Sequence, residues 1–167
     1  MKKPSSPKPP PFVSPILSLE ELFDKFEWSY ECASDIELTA EIGGRWDTYH
    51  FVALWMQEME SFMIALIIGQ KIPEAKSQEI EILLSAMNTN VWMGHFEIAP
   101  DEQVPAFRHN FPLRGSTGPS LDQLEDMVMA AIVECDRLYP ALQFVLQGEK
   151  GPHEALEAAM LDTHGEA

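Results

Sequence analysis

Between Tyr49 and Ile72 the chain carries its most hydrophobic run, broken at one place, Gln57 to Ser61. β-Branched and aromatic residues dominate both arms, each arm is of strand length, and the middle is too polar for a membrane helix, so the run predicts a β-hairpin. With Glu58 and Met59 as the loop, Trp55 faces Phe62, Ala53 faces Ile64, Phe51 faces Leu66 and Tyr49 faces Ile68. That face is heavy and aromatic. The other face sets His50, Val52, Leu54 and Met56 against Ile67, Ala65, Met63 and Ser61, a lighter but still apolar surface. A loop one residue longer would swap the two faces. Both ask for cover, which a simple two-layer domain provides on one side only. The second face therefore calls for more helices, a second subunit or a client.

The pattern on either side of the hairpin supplies the remaining elements. Ser18 and Glu21 have the spacing of a capping box, and Leu19, Leu22, Phe23 and Phe26 recur at helical intervals, so a short amphipathic helix is expected up to about Glu27. Asp35 to Ile42 alternates apolar with polar residues as a half-buried strand does, and Gly43 and Gly44 turn it toward the hairpin. Pro73 and Glu74 open a helix with Ile80, Leu83, Leu84 and Met87 on its buried side. Val91 to Ala99 and Val104 to Pro112 read as a second strand pair across an acidic turn. Ser120 and Gln123 form another capping box for the longest helix, with Leu121, Leu124, Val128, Ala131, Cys135 and Leu138 on one face and Pro140 expected to kink or interrupt it. An Ala-rich helix around Glu154 to Leu161 closes the chain. The expected fold is α+β, a five-stranded antiparallel sheet with helices packed on it, in the order α-β-β-β-α-β-β-α-α.

Composition sharpens this picture at the ends. Residues 1–15 hold six prolines, three lysines and three serines and predict a flexible, partly polyproline arm, with one domain over 16–167. The expectation is that removal of Met1 to Ser14 leaves folding intact. The net charge is −16, and since Lys2, Lys3 and Lys8 all fall in the arm, the domain is more acidic still. Such a surface repels phosphate backbones and anionic lipids, so neither a nucleic acid nor a membrane is an expected partner. No signal peptide or spanning segment is indicated, and the cytoplasm is the expected location. Cys32 and Cys135 lack C-x-x-C spacing and are expected to be buried, reduced thiols.

Several separated motifs carry a likeness. Pro73-Glu74-Ala75-Lys76, Trp92-Met93-Gly94-His95-Phe96, Phe107-Arg108-His109, the segment from Glu134 to Ala141 and the ending from Met160 to Ala167 together resemble the YbjN-domain family of bacterial proteins, in its alphaproteobacterial branch. The resemblance runs from about Leu17 to the end. It implies a fold similar to type III secretion chaperones, often homodimeric, and a role as a sensory transduction regulator. It supplies no catalytic residues, and a chaperone activity would rest on fold analogy alone.

Candidate chemistry is sparse. His95 and Glu97 share a strand face, and His109 is placed to approach from the paired strand, which would make a small metal-dependent hydrolase the alternative reading. The usual reading of His95 is a packed histidine bonded to a neighbour. No phosphate loop, dinucleotide motif or Ser-His-Asp order occurs, so no cofactor is expected. Arg108 and Arg114 are scarce cations, expected to pair within the chain or to receive a partner's carboxylate. Trp92, Phe96, Phe107 and Phe111 are expected to be core aromatics. The main expectation is a non-enzymatic binding or regulatory protein, homodimeric or client-bound. Its candidate interaction face is Val52, Leu54, Met56, Met63, Ala65 and Ile67, rimmed by Glu37, Thr39 and Glu41.

Overall fold

The computed structural model describes residues 11–164, with side chains to Leu161. Helix α1 (Pro15–Lys25) leads into four strands, β1 (Tyr30–Ser34), β2 (Glu37–Gly43), β3 (Thr48–Met56) and β4 (Ser61–Ile67). Helix α2 (Ser77–Asn88), the hairpin β5 (His95–Ala99) and β6 (Val104–Pro112), and helices α3 (Leu121–Leu146) and α4 (Pro152–His164) follow. All strand pairs are antiparallel, in the order β1-β2-β3-β4-β6-β5. The sheet thus has six strands where five were expected. The extra one, β1, is an almost wholly exposed, bulged edge strand, Tyr-Glu-Cys-Ala-Ser, held by its backbone pairing to β2. An edge strand of this kind carries no apolar alternation to betray it.

The central hairpin has the register expected for a loop at Glu58 and Met59: Trp55 lies opposite Phe62, Ala53 opposite Ile64 and Phe51 opposite Leu66. Between the arms Gln57–Met59 forms a short 3-10 turn, and Glu60 takes the left-handed conformation that returns the chain into β4. The aromatic face is the core. Leu38, Tyr49, Phe51, Phe62, Ile64, Leu66 and Phe107 are fully buried there, under Leu19, Leu22 and Phe23 of α1, Ile80 and Leu83 of α2, and Leu124, Val128, Cys135 and Leu142 of α3. Helix α4 adds Ala155, Leu156 and Ala159.

Four local expectations need correcting. Helix α1 starts at Pro15, with Ser14 as its cap accepting the Ile16 N–H at 3.3 Å, and Ser18 is a buried residue inside the helix. Pro fits that first position because its missing N–H has no partner there anyway. The described end of the arm is also engaged: Phe12 stacks on Trp55 at 5.4 Å between ring centroids, and the Val13 N–H reaches the Thr117 carbonyl at 2.9 Å. Residues 1–10 lie outside the described part. Pro140 sits within α3, which runs on through it to Leu146 without interruption. Of the two cysteines Cys135 is buried, but Cys32 is exposed on β1, its thiol 3.1 Å from Glu20 Oε1.

The Glu134 to Ala141 segment clasps these layers together. Asp136 Oδ1 accepts the Tyr49 hydroxyl at 2.7 Å and the Arg45 N–H at 2.8 Å, tying the β2–β3 turn to α3. Gly44 lies so close beneath that an added Cβ would stand 2.3 Å from the Tyr49 ring. Arg137 holds the buried Glu134 carboxylate through two bonds of 2.8 and 2.9 Å, and its other nitrogen reaches the Met160 sulfur of α4 at 3.4 Å. Tyr139 accepts from Gln70, which accepts in turn from Gln143.

Candidate functional site

Side chains alternate along a strand, so what the helices cover on one side of the sheet they leave bare on the other. The bare side carries Val52, Leu54 and Met56 of β3 paired with Ala65, Met63 and Ser61 of β4, and Ile67 opposite His50. The six apolar residues among these are half-buried and lie outside the core cluster that unites the other face with the helices.

Those flanking strands differ in charge. On the β2 side Glu37, Thr39 and Glu41 stand next to Leu54, Val52 and His50, with His50 Nδ1 2.7 Å from Glu41 Oε1. On the β6 side Arg108 and Asn110 stand next to Ala65 and Met63. One row crosses the whole sheet: Glu31, Thr39, Val52, Ala65, Arg108, His95. It runs from acid through an apolar centre to base.

The hydrolase candidates fall apart on this register. His95 and Glu97 belong to the bare face, whereas His109 pairs with the fully buried Ile64 and belongs to the helix-covered one. The sheet lies between them. Burial first, and then the charge of His95, lowers the His109 pKa, which keeps that ring neutral as a packing residue. His95 is exposed, not packed, and Glu97 bridges it to Arg108: Glu97 Oε2 lies 3.3 Å from His95 Nε2, and Glu97 Oε1 accepts Arg108 Nη1 at 3.3 Å. Arg108 Nε is buried without a hydrogen-bond partner among the described residues. Arg114 makes a long, exposed pair with Glu60 at 3.9 Å. Among the described residues no three His, Cys, Asp or Glu side chains converge as a metal would need. Of the four aromatics, Phe96 and Phe107 are core, Phe111 is half-buried, and Trp92 is 74% exposed.

The charge gradient across the bare face is absent from the expectations drawn on sequence, since its two ends lie on β1 and β5, the outermost strands. Its acidic half was visible, because β2 alternates. Its basic half depends on β6 joining β4, a pairing no local pattern encodes.

Among the described residues no helix is long and apolar enough to cross a membrane. A family profile described as "YbjN: Putative bacterial sensory transduction regulator" matches residues 15–144. Among solved structures the chain is similar to that titled "Crystal structure of YbjN, a putative transcription regulator from E. coli", with a TM-score of 0.55 and 13% identity over 83% of this chain and 94% of that one. No curated protein matches the chain.

Proposed function

The chain belongs to the YbjN family of bacterial regulators, and from that premise we propose that it acts without catalysis, by holding a protein partner, a second copy or a client, on the bare face of its sheet. The observation that carries this reading is the apolar stripe Val52, Leu54, Met56, Met63, Ala65 and Ile67, left outside the core on a face that no helix among the described residues covers. Apolar surface costs about 25 cal/mol per Å² to keep in water, and soluble proteins that retain a contiguous patch generally use it for contact. Two methionines suit an adaptable contact surface. The acidic remainder of the chain keeps such a protein dispersed, and the cytoplasm is the compartment that fits its unpaired thiols.

The test is the double variant Leu54→Glu/Met63→Glu, followed by light scattering, a circular dichroism melt and affinity recovery from the source cell beside the wild type. A folded variant that loses self-association, or loses a partner the wild type retains, supports the reading. A variant that unfolds would make this face ordinary core. A folded variant with unchanged mass and partners would move the interface elsewhere, first to the solvent side of α3, where Met129 and Val133 are exposed.

A further inference from the structure

The two flanks of the bare face are not equally satisfied. On β5 and β6, Glu97 takes both His95 and Arg108, at 3.3 Å each, so the cations there are already matched. On β1 and β2, Glu31 and Glu37 make no ion pair or side-chain hydrogen bond among the described residues, and Glu41 has only the His50 ring at 2.7 Å. The apolar stripe runs beside them. The chemistry that complements both is a cationic segment with apolar groups between its charges, and the chain itself carries one. Residues 1–10 hold Lys2, Lys3 and Lys8, Pro4, Pro7, Pro9 and Pro10, and no acid. Resting on the proposed role of this face, we propose that residues 1–10 are its resident occupant, a strap laid along the stripe in cis with its lysines on the β2 glutamates, which a protein partner has to displace.

The described end of the arm sets where the strap begins. Phe12 stacks on Trp55 and the Val13 N–H is held by the Thr117 carbonyl, which fixes the chain at the hairpin end of β3. A cleft of about 430 Å³ opens there around the end of the sheet, with Ile36 and Trp55 lining it from the helix-covered side and Leu54 and Met56 from the bare side. A polyproline-type segment advances about 3.1 Å per residue, and rounding the sheet uses about one layer spacing, about 10 Å. Lys8, about 12 Å along such a chain from Phe12, therefore comes level with Leu54 and its neighbour Glu37. Lys3 is about 28 Å along, which leaves about 18 Å beyond the turn. Glu41 stands next to His50, which lies about 17 Å of strand from Trp55. The spacing of the lysines thus matches the spacing of the glutamates.

The composition of the segment suits the surface as well. Proline lays ring carbons on an apolar stripe and has no N–H to strand there, and its extended conformation needs little further ordering on contact. Exposed Lys–Glu pairs are individually weak. The tether compensates, because it supplies an effective concentration in the millimolar range, so a contact of roughly millimolar strength between separate molecules is about half-populated or more in cis. A contact of that strength opens locally without unfolding the domain and loosens as salt screens it.

The experiment uses the full chain with isotope-labelled methionine methyls and a neutral, soluble gadolinium chelate, which broadens every methyl signal it can reach; circular dichroism and light scattering follow fold and mass. Met56 and Met63 report on the bare face, and Met129, exposed on α3, is the reference. In the wild type the first two are expected to be shielded. Lys2→Glu/Lys3→Glu/Lys8→Glu, and separately Glu37→Lys/Glu41→Lys, are each expected to raise their broadening relative to Met129 at least about twofold, as loss of a half-populated cover requires, with fold and mass unchanged. The chain carrying all five changes is expected to regain the shielding, because the reversed charges match again. If the β2 variant fails to fold, the arm variant alone decides. Broadening of Met56 and Met63 that the arm reversal leaves as it was overturns the proposal, and so does a folded combined variant that stays unshielded. Shielding that is lost on dilution together with a fall in mass also overturns it, because the occupant is then a second copy. The broader reading fails separately, when Leu54→Glu/Met63→Glu folds and changes neither mass nor partners.

Discussion

Asp136→Ala is the substitution whose cost the structure allows to be worked out most directly. Tyr49 is wholly buried, and its hydroxyl has the Asp136 carboxylate as acceptor at 2.7 Å. Removing that acceptor leaves a buried hydroxyl unsatisfied, which costs about 1–3 kcal/mol. The Arg45 N–H that also uses Asp136 is exposed and turns to water, so it adds little. A loss near 2 kcal/mol corresponds to a fall of roughly 4–8 °C in melting temperature for a chain of this length. Tyr49→Phe takes away the donor instead. The carboxylate is then half-buried, still holds Arg45 and still meets water, so this change is expected to cost only about 1 kcal/mol. The double variant should cost less than the sum of the two by about 1 kcal/mol, since with the hydroxyl gone nothing is orphaned by losing the acid. Chemical denaturation of the four proteins, followed by circular dichroism, measures the cycle. Single costs that simply add to within about 0.5 kcal/mol would refute the clasp, and so would an Asp136→Ala variant no weaker than Tyr49→Phe.

Two further outcomes concern the arm and alkaline pH. Removal of residues 1–10 is expected to leave the melting temperature unchanged, whereas removal through Ser14 takes away the α1 cap and the Phe12–Trp55 stack and should cost about 1–3 kcal/mol; equal melts for the two truncations would refute the docking. This revises the expectation that the whole of Met1 to Ser14 is dispensable. Burial, reinforced by Asp136, raises the Tyr49 pKa; Cys32 is exposed as a residue, but partial desolvation of its sulfur where it meets Glu20, together with that carboxylate, pushes the thiol up to about 11. Groups raised in the folded state bind protons that the unfolded chain has released, so their contribution is complete below the unfolded pKa and fades as pH rises through the folded one. Denaturation midpoints should therefore fall from about pH 9 upward, and Tyr49→Phe should shallow the decline above about pH 10; an identical slope in that variant would count against the assignment.

What could be read without coordinates was whatever repeats locally. The register of β3 with β4, the buried stripes of α2 and α3 and the cap at Ser120 all follow from spacing within one segment, and all are found. The misses have separate causes. β1 is an edge strand stabilised by backbone pairing, so its side chains carry no burial signal. Trp92 is aromatic but sits in the turn before β5, and α3 absorbs Pro140 because its packing on both sides outlasts the loss of one backbone bond. Ser14 and Ser18 are both plausible caps by composition; the proline after Ser14 decides between them. The apolar half of the candidate face was legible because β3 and β4 are consecutive. Its basic flank was not, because it needs Arg108 to meet Ala65 across an intervening helix and strand.

That same junction has a kinetic meaning. β1 to β4 form an uninterrupted meander and β5 with β6 a hairpin, each closing over short loops, whereas β4 reaches β6 only across α2, with Ser61 against Pro112 and Ile67 against Ala106. Short loops close early because they sacrifice little chain entropy, and distant pairings come late. The sheet is therefore assembled from two prefabricated pieces, and the β4–β6 seam is the step that commits them to one molecule. Until it closes, β4 and β6 each present an unpaired edge flanked by apolar side chains, open to the wrong neighbour as readily as to the right one.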